Sequence, residues 1–90
     1  MRIHKYQITA KTPGKELSIK LPKGASRLSF QLQNGVPTIW AVVNPDEPLE
    51  ERSVLILHTG DDVPAVVVQN WAFLGTVQVS PNYVVHVWLG

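Results

Sequence analysis

Cysteine is absent from these 90 residues. That removes disulfides, thiolate nucleophiles and zinc–thiolate sites together. A chain this small without such staples relies on packing or on oligomerisation. Charge is scarce too: 17% of the residues are charged, against about 25% in typical domains. With 44% hydrophobic residues the chain is nevertheless no disordered segment. No apolar run approaches the roughly 20 residues that span a bilayer. Met1 to Tyr6 offers no apolar core of a secretory signal, so cytoplasmic residence is expected. Neither Gly-x-Gly-x-x-Gly nor Gly-Lys-Ser/Thr occurs, and no serine stands in a nucleophile elbow. These absences argue against a nucleotide-hydrolysing or acyl-transferring enzyme. They leave one small domain over residues 1–90, large enough for a single modest core.

What charge there is falls unevenly. Residues 1–27 hold seven of the eight basic residues (Arg2, Lys5, Lys11, Lys15, Lys20, Lys23, Arg27) against one acid, Glu16, a net of +6. Residues 28–90 hold Arg52 against six acids (Asp46, Glu47, Glu50, Glu51, Asp61, Asp62), a net of −5. The overall +1 argues against general nucleic-acid binding. From Val63 to Gly90, 28 residues pass without a charged side chain. Such a stretch suggests a surface that is covered, within the fold or by another subunit.

The hydrophobic period is two. Arg2 to Thr9 reads as a strand, ended by the turn cluster Lys11-Thr12-Pro13-Gly14. Leu17, Ile19 and Leu21 alternate with Ser18 and Lys20; Leu28, Phe30 and Leu32 alternate with Ser29, Gln31 and Gln33. Asn34-Gly35 then predicts a two-residue hairpin turn into a return strand, Val36 to Val43. Asn44 to Glu51, with two prolines, reads as an acidic loop. Ser53 to Thr59 is a strand apolar on both faces, Gly60-Asp61-Asp62 a turn, and Val63 to Asn70 is ambiguous. Trp71 to Val79, with Gly75 as a candidate bulge, and Tyr83 to Leu89 complete the set. About seven short strands at this spacing predict an all-β fold, a small antiparallel β-sandwich or barrel. The expected core is Leu17, Ile19, Leu28, Phe30, Leu32, Ile39, Ala41, Val54, Ile56, Val77 and Val85.

The run Gln31-Leu32-Gln33-Asn34-Gly35-Val36-Pro37 with Trp40-Ala41, the Lys5-Tyr6 strand and the Leu21-to-Ala25 turn resemble a family of small uncharacterised bacteriophage and prophage proteins. Thr59-Gly60, Leu74 to Gln78 and the last strand extend the resemblance over nearly the whole chain. It implies a phage or prophage origin and carries no activity with it.

Two groups of residues could carry function. His58 stands near Asp61 and Asp62 across a turn, a spacing open to metal or general-base chemistry but read first as a plain polar turn. Three scattered histidines, His4, His58 and His86, make no zinc site, so neither a metal, a cofactor nor a catalytic residue is expected. Trp40, Trp71 and Trp88 are core residues, interface residues or a stacking platform beside the N-terminal bases. The candidate ligand-binding set is Arg2, Lys5, Tyr6, Trp40, His58 and His86. The candidate self-association surface is Leu55, Leu57, Val84 and Trp88, the second apolar faces of two strands that a two-layer domain leaves open. The sequence thus reads as a non-enzymatic phage accessory protein, cytoplasmic in the host and away from membranes. It is expected to form a homo-oligomer and to bind a host protein or a small nucleotide. A minor virion component is the alternative, and a His/Asp-dependent enzyme a third.

Overall fold

Most strands turn one face inward, so the strands gather into two layers around a shared core. The computed structural model describes residues 1–8 and 16–90; the expected turn Lys11 to Gly14 lies outside them. β1 (Arg2–Gln7), β4 (Val36–Val43) and β3 (Ser26–Gln33) make sheet A, in the order β1-β4-β3. β2 (Glu16–Pro22), β5 (Leu49–His58), β7 (Tyr83–Leu89) and β6 (Ala72–Ser80) make sheet B, in the order β2-β5-β7-β6. All neighbours are antiparallel. Among the described residues no ladder joins the two sheets, so the architecture is a two-sheet sandwich. Among the described residues no helix is long and apolar enough to cross a membrane.

The β3–β4 hairpin forms as expected, Gln33 opposite Val36 and Phe30 opposite Ile39. Asn34 at φ 51° and Gly35 at φ 78° give the two left-handed residues of a type I′ turn. Asparagine tolerates that region; a β-branched side chain does not. Asn34→Val is therefore expected to lower stability by about 1–3 kcal/mol. Denaturant unfolding checks this, and an unchanged midpoint would contradict the turn assignment.

Between the sheets lie Phe30 and Ile39 from sheet A and Val54, Ile56, Val85, Val87 and Leu89 from sheet B, with Ile8 beside them. Leu17, Ile19, Leu28 and Val77 pack on this cluster while partly exposed, and Leu32 is half-buried. Gly75 sits at a register shift between Phe73 and the next pair, with φ 150°. A Cβ on Gly75 would lie in ordinary contact with the Phe30 ring, at 3.6 Å, so it is the positive φ and not a lack of space that favours glycine at the bulge.

One sequence expectation needs correction, and one segment left open is resolved. β5 begins at Leu49, inside the segment read as an acidic loop. Both prolines precede it, and its charged start pairs with β2: Glu51 faces Lys20, and Arg52 faces Ile19. The strand runs on past the core because cross-strand charge pairing supports it there. That same pairing sets part of the basic segment against part of the acidic one within one chain. The second concerns Val63 to Asn70, which contains α1 (Ala65–Asn70). Three consecutive valines are poor helix formers, but Val67 is buried on the outer face of sheet B against Leu55, Leu57, Trp71 and Trp88. Tertiary packing overrides propensity here.

Candidate functional site

Ile39 and Ala41 point into the sandwich, so Trp40 and Val42 on the same strand point outward from sheet A. In register, Trp40 is flanked by Lys5 on β1 and Ser29 on β3. Thr38 is flanked by Gln7 and Gln31, and Val42 faces Ile3 on β1. Lys5 Nζ donates to Gln33 Oε1 at 2.9 Å, holding the lysine along this face. The result is an open sheet surface with a half-buried indole at its centre and amide, hydroxyl and ammonium groups around it.

Arg2 and Tyr6 do not join it. Both alternate onto the opposite side of β1, paired with Val43 and Ile39, whose side chains face inward. Burial pushes the Tyr6 phenol above its ordinary pKa. The sequence stripe Arg2–Lys5–Tyr6 is thus divided by the pleat, and Lys5 alone meets Trp40.

The histidines lie at sheet B and are also divided. His86 is on the outer face, where its ring bridges two threonines: Nε2 to Thr59 Oγ1 and Nδ1 to Thr76 Oγ1, each 2.8 Å. Both ring nitrogens are engaged, so a metal or a ligand would have to displace a hydroxyl. His58 falls on the inner face at the end of β5 and meets Tyr83 edge-on, centroids 4.7 Å apart. Asp61 Oδ2 accepts the His58 backbone N–H at 2.8 Å and lies 3.7 Å from His58 Nδ1. The Asp61 N–H returns to the His58 carbonyl at 3.0 Å. These contacts close a turn, the bland reading of that sequence pattern. His58 Nε2 is buried without a partner. Among the described residues no group of three or more His, Asp or Glu comes together to hold a metal.

Of the four expected interface residues, Val84 and Trp88 are half-buried on the outer face of sheet B, and Leu55 and Leu57 are buried. Leu55 and Leu57 are buried beneath α1 with Val67 and Trp71. Trp88 packs on the same cluster, its indole N–H enclosed without an acceptor. The chain covers this second face itself, through a segment whose periodicity hid its role. Exposure moves to the rim: Val66 and Val68 on the outside of α1 are each 57% exposed, and Phe73 at the start of β6 is 52% exposed. Phe73 lies against Trp88, ring centroids 4.8 Å apart. Sequence reasoning left Val63 to Asn70 ambiguous and so did not find this rim; a helix turn puts Val67 inside and exposes Val66 and Val68 on its flanks.

No curated protein and no solved structure matches the chain. The family described as a domain of unknown function, DUF7352, matches residues 1–90, the entire sequence. The chain therefore belongs to the DUF7352 family.

Proposed function

We propose that this chain is a non-enzymatic accessory protein of phage or prophage origin that self-associates and binds a host protein or a small nucleotide. The origin rests on the resemblance of its hairpin, turn and strand motifs. A binding role is supported by the chemistry at hand: His58, beside Asp61, is spent on a turn, and His86 on a pair of threonines. Its setting would be the cytoplasm of the infected host.

The observation that carries self-association is the apolar rim of Val66, Val68 and Phe73. It lies within a 28-residue segment free of charged side chains. Exposed apolar side chains in a segment without charge favour a cover, and a second copy brings an equally uncharged surface with no like-charge repulsion. Sedimentation at micromolar concentration tests this. A mass above the 10.0 kDa of one chain is expected, and Phe73→Glu should return it to that value. A wild-type chain that sediments as a monomer would contradict self-association.

A further inference from the structure

We propose that the pocket at the end of sheet B, between the turn that carries Asp61 and the ring of Phe73, binds a small organic ammonium ion. The site is separate from the nucleotide named above, which carries the opposite charge.

Strand pairing builds the pocket. Leu57 lies opposite His86 on β7, and Trp88 lies opposite Phe73 on β6, so the four are neighbours on the outer side of sheet B. The chain leaving β5 adds Asp61 and Val63 as a further wall. Together they enclose about 330 Å³, near the lower end of the range for small-molecule sites. Phe73 is 52% exposed and Val63 38%, so the pocket opens to solvent.

The lining selects the ligand. Asp61 is the one side chain of formal charge on it. Its Oδ2 accepts the His58 N–H at 2.8 Å, which holds the carboxylate at the rim, and the side chain remains 40% exposed. Neither β6 nor β7 carries a lysine or arginine. Arg52, the one such base on β5, lies roughly 16 Å back along the strand from Leu57. Its Nε donates to the Gly90 carbonyl at 2.6 Å. A cation is therefore drawn to this pocket and an anion turned away. A neutral apolar molecule would cover the carboxylate without pairing it, at a cost in desolvation.

The rings specify an organic cation. Phe73 and Trp88 meet at 53° with centroids 4.8 Å apart, a corner and not a stack. Aromatic rings attract ammonium groups through their quadrupoles, tryptophan most strongly. Leu57 and Val63 offer aliphatic surface to the carbon around the charge. A metal ion would find one carboxylate and an imidazole whose two nitrogens are each bonded to a threonine hydroxyl at 2.8 Å, too few free donors for its coordination shell.

NMR titration of the full chain with choline and with 3,3-dimethyl-1-butanol, its uncharged isostere, tests the proposal. Saturable choline binding is expected, about tenfold tighter than the isostere when the ring and carboxylate contributions combine. Asp61→Asn keeps a side-chain oxygen for the His58 N–H and removes the charge. It should weaken choline about two- to fivefold, the span of a half-exposed ion pair, and leave the isostere, thermal unfolding and sedimenting mass unchanged. Phe73→Leu keeps apolar bulk and should weaken choline by a similar factor through loss of a ring. Equal affinities for choline and the isostere overturn the cation assignment. Choline binding that survives both Asp61→Asn and Phe73→Leu overturns this location, and absence of saturable choline binding overturns the pocket. A chain that sediments as a monomer yet binds choline with these dependences upholds the pocket while self-association falls.

Discussion

Phe30→Ala is expected to lower the unfolding free energy by about 3–5 kcal/mol, the range for truncating a buried aromatic. Phe30 is 8% exposed and belongs to the main cluster with Ile39, Val54 and Val85. Its ring also lies under Gly75, where β6 bulges. Removing it opens a void between the sheets that no neighbour fills by changing rotamer alone, because the bulged backbone holds no side chain at Gly75. The bulge itself then loses the ring it rests on. Chemical denaturation followed by tryptophan fluorescence measures the loss. A change below about 1 kcal/mol would show that the ring contributes little and that the sheets can close over the gap.

The second large effect is expected at Trp88. Trp88→Glu should unfold the subunit rather than separate subunits. Trp88 packs with Leu55, Leu57, Val67 and Trp71 beneath α1, and its indole nitrogen is enclosed. Loss of the indole removes the floor on which α1 rests, and the carboxylate introduced there has no cationic partner among residues 63–90. An unpaired buried charge alone costs several kcal/mol. Circular dichroism should show the strand signal lost or the melting transition shifted far down. The companion variant separates this from assembly: Phe73→Glu, on an exposed ring touching Trp88, should leave the fold intact and change only the sedimenting mass. A folded, monomeric Trp88→Glu would instead return Trp88 to the interface.

Much of the fold was legible from local chemistry. Leu28 to Gln33 alternates cleanly, and Asn34-Gly35 has few conformations other than a type I′ turn, so the hairpin and its register followed directly. Gly75 was legible as a bulge because a strand interior gives glycine no other advantage. The start of β5 was less so, since Glu50, Glu51 and Arg52 look like loop residues until Lys20 is placed opposite them. α1 was not legible. One and a half turns of valine have no capping side chain and no charge at either end, and they form a helix only over Leu55 and Leu57.

The candidate site divides along the same line. Alternation within β4 determined that Trp40 and Ile39 face opposite ways, and the count of acids and bases determined that the first third of the chain is basic. Neither shows which strands become neighbours. Pairing β1 with β4, and not with β2, sets Lys5 beside Trp40 and sends Arg2 and Tyr6 to the other side. Packing of β5 against β7 places His86 between two threonines and His58 on the opposite face, so that two histidines that looked alike have no common site. The sequence by itself determined strands, turns and the two-sidedness of each strand, because these depend on backbone sterics and on a period of two within a few residues. Only the tertiary structure decided which of two apolar faces the chain covers for itself. That choice compares burial energies between segments far apart in sequence, and no local pattern carries the comparison.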